Sequence, residues 1–144
     1  MNRINLICLG VQDLAKSLSF YKNIGFKTNT TEDTPPIVFF NNQGSKLELY
    51  PLQQLAKDIC GENPPQKTHG FTGITFACNT KSEHEVDEIL KCVELHGGNI
   101  IKPAQHVFGV AIAAILQIWT DIIGKLLIQQ IGNLMQMICL LSND

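Results

Sequence analysis

The sequence predicts an α+β fold built from two βαβββ modules in tandem, and three observations carry that expectation. An apolar run, an amphipathic stretch, a glycine stop and further strand-like runs follow one another in the first fifty residues. A similar order restarts near residue 73, as a duplicated supersecondary unit would. Between the two lies a stretch rich in breakers, Gly61, Pro64 and Pro65. A chain of 144 residues, 44% of them hydrophobic, is long and apolar enough to bury a core in one domain or two small modules.

The elements follow from residue type and spacing. Ile4 to Val11 (INLICLGV) is a nearly continuous apolar run that suits a strand buried on both faces. Asp13 offers an N-cap, Leu14, Leu18 and Tyr21 recur at helical spacing, and Gly25 supplies the stop, because glycine accepts the left-handed conformation at a helix end. Phe26 to Thr30 reads as a strand, Asp33 to Pro36 as a break, and Ile37 to Phe40 and Lys46 to Tyr50 as two strands joined through Asn41, Asn42 and Gly44. Leu52 to Ile59 is a short helical stretch inside the linker. In the second module Gly73 to Asn79 is strand-like, and Ser82 with Glu85 forms a capping box. Val86, Ile89, Leu90 and Val93 give the chain's strongest amphipathic pattern. Gly97 and Gly98 end that helix, and Asn99 to Lys102 begins another strand. From Gly109 the chain turns strongly apolar, with Asp121, Lys125 and Asp144 as its charged side chains. No turn chemistry divides that stretch into two strands. The expected organisation is therefore residues 1–51 as a first module, 52–69 as a linker with a short helix, 70–108 as an incomplete second module lacking its last two strands, and 109–144 as an apolar helical tail.

Charge and cysteine usage narrow the function classes. The formal net charge is −2 and the eleven basic residues are scattered, so no basic stripe suggests a nucleic-acid partner. Cys8, Cys60, Cys78, Cys92 and Cys139 form no C-x-x-C pair and no zinc-like spacing with histidines. An odd number of thiols and an N-terminal run without a cleavage pattern fit a reducing, cytoplasmic setting.

The residues ICLGVQDLAKSLSFYKNIGF, 7 to 26, with their V-x-D-L, S-L-x-F-Y and G-F marks, resemble the first module of the glyoxalase/bleomycin-resistance/dioxygenase (vicinal oxygen chelate) superfamily. GFTGITFACN, the helix after it and GGNIIKPAQ resemble the second module. The resemblance covers about residues 4 to 108 and implies a small-molecule ligand, homodimerisation and, in metal-dependent members, a divalent metal held by the first and fourth strands of each module. Carried over residue by residue, the ligand positions fall at Leu6, at Glu48 in Leu47-Glu48-Leu49, at Gly73, and at a C-terminal glutamate this chain does not carry. Only Glu48 coordinates, so no cofactor is expected. If Glu48 faces an apolar cup, burial raises a carboxyl pKa and makes it a candidate general base. The alternative is that it is the solvent-facing residue of a strand. His69, four residues from the third position, and His106 read as surface residues.

The tail has a reading of its own. With codons chosen for residues 109–144, beginning GGG-GTG-GCT-ATA-GCA-GCT-ATT-TTG, one T restored after the Phe108 codon opens the neighbouring frame. That frame begins WGGYSSYFADLDGYYWEVAY, a string resembling what the family carries here, glutamate included. On that resemblance residues 109–144 are expected to be a frameshift product; the alternative is a natural C-terminal helix packed on the sheet or on a membrane surface. The function expected is a glyoxalase-like small-molecule binder, or a divergent lyase- or dioxygenase-type enzyme without an intact metal site. Alternatives from other classes are a non-catalytic interaction module and a peripheral membrane protein using the tail.

Overall fold

The computed structural model describes residues 3–67, 70–107, 110–117 and 123–128. The chain divides into two compact units, Met1–Thr72 and Gly73–Asp144.

In the first unit, strand β1 (Leu6–Val11) leads into helix α1 (Leu14–Asn23), followed by β2 (Val38–Phe40), β3 (Lys46–Pro51) and α2 (Leu52–Ile59). Asp13 caps α1 as expected, its side chain accepting from the Lys16 amide at 2.9 Å, which satisfies one orphan donor of the first turn. The helix closes through the Phe26 amide, which donates to Tyr21 O at 2.9 Å while Gly25 sits at φ +101°. The sheet order is β1-β3-β2, with β1 parallel and β2 antiparallel to β3. Alternation sends Leu9, Val11, Val38, Phe40, Leu47 and Leu49 to the buried side. The α1 residues Leu18, Phe20 and Tyr21 are buried as well, and Tyr21, Phe26 and Phe40 form an edge-packed aromatic cluster with centroids 5.1 to 5.5 Å apart.

The strand expected over Phe26 to Thr30 reduces to a single bridge, Thr28 to Phe40. The Thr28 hydroxyl donates to Phe39 O at 2.7 Å and accepts from the Thr30 amide at 3.2 Å. A threonine that binds neighbouring backbone in this way competes with a regular ladder.

In the second unit β4 (Thr75–Thr80) precedes α3 (Glu83–Leu95), then β5 (Asn99–Val107), β6 (Val110–Gln117) and β7 (Ile123–Ile128). The cap forms with one change from the expected box: Ser82 accepts from the Glu85 amide at 3.2 Å, and the Glu85 carboxylate reaches back to the Lys81 amide at 2.6 Å, one residue before the cap. Val86 and Val93 are fully buried, whereas Ile89 and Leu90 are half-buried. Helix α3 turns directly into β5 through Gly98, where a Cβ would lie 2.4 Å from Val93 Cγ1. Only glycine allows that approach.

The sheet order is β4-β7-β6-β5, with β4 parallel to β7. The order β1-β3-β2 plus the Thr28 bridge repeats it, so the expected tandem βαβββ pattern is present. The expected helical tail is corrected: residues 110–117 and 123–128 are the closing strands, paired antiparallel from Ile112–Ile128 to Gln117–Ile123. Residues 129–144 lie outside the described ones. Strands inside a sheet bury both faces and read as continuous apolar runs, which periodicity alone does not separate from a buried helix. Pro103 sits where the β5–β6 register shifts, on an edge strand that tolerates a missing donor.

Candidate functional site

The first sheet has a second face. Parallel pairing sets Cys8 beside Glu48 and Gly10 beside Tyr50, and antiparallel pairing sets Phe39 beside Glu48. Residues paired in register share a face, and so do residues two apart along a strand. Leu6, Cys8, Gly10, Phe39, Lys46, Glu48 and Tyr50 therefore stand opposite the Leu9–Val11–Phe40–Leu49 side.

Helix α2 follows β3 without a linker and folds back over this face. A Cβ on Gly10 would meet Leu52 Cδ1 at 2.8 Å and Leu55 Cδ2 at 3.0 Å. The helix has no side-chain cap and no fully buried residue. Its seat therefore depends on the bare backbone of Gly10.

Glu48, the expected site residue, is 8% exposed on the central strand. It is not the water-facing residue of the alternative reading. The Cys8 thiol donates to its carboxylate. Burial pushes that thiol up to about 11, helped by the charge of Glu48, the hydrogen bond to it and the charge of Asp58. A thiol so raised stays protonated at neutral pH and is a poor nucleophile. The Tyr50 phenol is raised too, by desolvation first, then by the charge of Asp58 and the hydrogen bond it donates to that carboxylate, with Glu48 and Cys8 adding to it. The face thus carries two carboxylates, Glu48 and Asp58, and two neutral donors, Cys8 and Tyr50.

This donor set does not fit a divalent metal. Leu6 presents hydrocarbon, 42% exposed. Gly73 has no side chain and sits at φ +78° with nothing within 4 Å of a built Cβ. No glutamate follows Glu94, and among the described residues no three of His, Cys, Asp and Glu converge. A hard or borderline cation needs several such ligands at once.

The remaining candidates lie elsewhere. His69 is outside the described residues. His106 is exposed on β5. Sequence reasoning missed Cys8 and Asp58 as neighbours of Glu48 and Tyr50. The signal available was the even numbering of 6, 8 and 10 against 46, 48 and 50, but their alignment rests on a nonlocal register. A second pair, Cys92 and His96, mimics a nucleophile and base at 3.6 Å. His96 Nδ1 lies 2.7 Å from Cys92 O. A ring nitrogen facing a carbonyl carries the proton, so it cannot take one from the thiol. That histidine finishes the helix end.

Comparison with known proteins agrees with this architecture. A family model described as Glyoxalase/Bleomycin resistance protein/Dioxygenase superfamily matches residues 3–121. A glyoxalase-related enzyme from Fulvimarina pelagi is 21% identical with a TM-score of 0.78, covering 90% of this chain and 89% of that one. A hypothetical protein from S. aureus is 20% identical, TM-score 0.73, over 89% and 94%. A lactoylglutathione lyase from Agrobacterium tumefaciens is 19% identical, TM-score 0.62, over 88% and 93%. No curated protein matches the sequence.

Proposed function

The chain belongs to the glyoxalase/bleomycin resistance protein/dioxygenase superfamily, and from that premise we propose that it is a metal-independent small-molecule-binding protein whose ligand occupies the Glu48 face of the first sheet. The observation that carries the reading is Glu48 itself: a carboxylate only 8% exposed, on a central strand, with a protonated thiol as its hydrogen-bonding neighbour. Burying a charge is costly unless something compensates it. A carboxylate kept in such a place has the character of a binding group, since a leucine would fill the sheet at lower cost. Beside it Phe39 and Leu6 stay 48% and 42% exposed. Ligand sites combine apolar walls with a few placed polar groups in this way.

The role of Glu48 is to accept a hydrogen bond from the ligand; for a ligand with an acidic C–H or O–H at that point, it is also the group placed to take the proton. Cys8 and Tyr50 stay protonated and orient the two carboxylates.

The test is a nuclear magnetic resonance screen of a fragment library against the full chain, with Glu48→Gln as control. Binders are expected to shift the amides of Cys8, Glu48 and Phe39, and to lose affinity in the variant. Binders that leave these amides unmoved, or stoichiometric nickel, zinc or iron uptake at neutral pH that is lost on Glu48→Ala, would overturn the proposal.

A further inference from the structure

Resting on that reading, we infer that helix α2 is a hinged cover over the Glu48 face, which lifts as a unit to admit a small molecule and seats again on Gly10. Exposure along the face points there. At its open end Leu6 is 42% exposed, and Lys46 beside it is exposed as well. Two residues further along the strands, Cys8 is half-buried and Glu48 keeps only 8% of its surface. Two residues further again comes Gly10, with Leu52 Cδ1 and Leu55 Cδ2 at 2.8 Å and 3.0 Å from the place its Cβ would take. The carboxylate is therefore closed in where the helix begins to cover the sheet.

The three helices differ in how firmly they are held. Helix α1 has the Asp13 cap and buries Ser17, Leu18, Phe20 and Tyr21. Helix α3 has the Ser82 cap and buries Val86 and Val93. Helix α2 has eight residues, no side-chain cap and no buried residue. A helix shorter than about 12 residues does not hold in water by itself, so α2 depends on Leu52 and Leu55 packing against the bare backbone of Gly10. One more contact fixes its far end, the Tyr50 hydroxyl donating to the Asp58 carboxylate. Segments with so few buried contacts open locally while the core stays closed. Both flanks can absorb the turn. Pro51 has no amide hydrogen bond to lose. Cys60 is already extended, at φ −155° and ψ 109°, and Gly61 follows it. Lids over ligand sites swing in this way, on a few residues at their ends.

The experiment follows backbone hydrogen exchange and the alkylation of Cys8 by iodoacetamide at pH 8 in the full chain, with the labelled peptides located by mass spectrometry. The amides of Ala56 to Cys60 are expected to be at least about tenfold less protected than those of α1, and low urea is expected to leave their exchange unchanged, as local opening requires. Two variants test the seat. Gly10→Val wedges it from the sheet side, and Leu55→Ala removes it from the helix side, so the second decides if the first does not fold. Each is expected to speed alkylation of Cys8 by about five- to tenfold, while protection of α1 and β3 stays as it was. Amides of α2 protected as well as those of α1, or opening only together with the whole unit, would make the helix part of the core and overturn the cover. Leu55→Ala with Cys8 alkylated no faster overturns it too, since the helix then does not guard the face. These readouts need no ligand, so a failed fragment screen beside a moving α2 overturns the Glu48 site and leaves the cover standing.

Discussion

Two adjacent phenylalanines separate the core from the site, and replacing each by alanine tests the face assignment on which everything above depends. Phe40 is 0% exposed and lies 5.3 Å and 5.5 Å, centroid to centroid, from Tyr21 and Phe26. Its truncation leaves a cavity that three elements cannot close together, so Phe40→Ala is expected to cost about 3–5 kcal/mol. Phe39, one residue earlier, keeps 48% of its surface. Full burial of such a side chain is worth about 1.5–3 kcal/mol, so roughly half of that, near 1 kcal/mol, is at stake in Phe39→Ala. Urea denaturation followed by circular dichroism measures both. With slopes of about 1–3 kcal/mol/M, the difference of some 2–4 kcal/mol is a displacement of the midpoint by about a molar unit or more. Since small domains hold only about 5–15 kcal/mol in total, Phe40→Ala is expected to be visibly frayed even in water. Equal losses at the two positions, or a larger one at Phe39, would refute the strand alternation and with it the Glu48 face.

Three more outcomes follow from particular contacts. On α3, Val86→Ala is expected to cost about 2 kcal/mol, from the lost methyl groups and the cavity they leave, whereas Glu88→Ala is expected to stay within about 0.5 kcal/mol. Glu88 pairs with His84 at 3.2 Å on the exposed side, so equal losses would mean the helix face is misassigned. The Cys8 thiol, raised from 9.0 to about 11, binds its proton more tightly in the folded state. The stability linked to it is present below about pH 9 and declines as pH rises toward about 11. Cys8→Ala is expected to flatten that decline, and iodoacetamide at pH 8 is expected to label the exposed Cys60 before Cys8. An unchanged alkaline limb, or Cys8 labelled first, speaks against it. Finally, sequencing the gene across the codons for Val107 to Val110 is expected to reveal a family-like reading in the neighbouring frame, and a second frame with no such reading removes the frameshift proposal for residues 109–144.

The secondary elements closed by local chemistry were legible in the sequence, because their determinants lie within a few residues of one another. Asp13 and Gly25 bound α1, Ser82 and Glu85 start α3, and Gly97 with Gly98 ends it. The periodic placement of Val86, Ile89, Leu90 and Val93 named the inner face of that helix, of which Val86 and Val93 are fully buried and Ile89 and Leu90 only half-buried. The repeated order of these elements carried the tandem architecture, and the motifs within residues 7 to 26 and their second-module counterparts carried the resemblance to the family.

What the tertiary structure decided is where the outcome depends on pairing between distant segments. Residues 110–117 and 123–128 are strands because β5 and β4 stand on either side to receive them; taken alone, their apolar runs fit a buried helix equally well. Thr28 gives up a strand for a single bridge because its hydroxyl finds Phe39 O, eleven residues away. The site is the clearest case. Leu47-Glu48-Leu49 singled out Glu48, yet nothing near it in the chain foretells that Cys8 lies beside it or that Asp58 reaches the Tyr50 hydroxyl. The first needs the parallel register of β1 on β3, and the second needs α2 to settle on Gly10. Hydrogen bonds within a turn are written in neighbouring residues. The burial and charge balance of a carboxylate are set by every segment that packs around it, and only the folded chain brings those segments together.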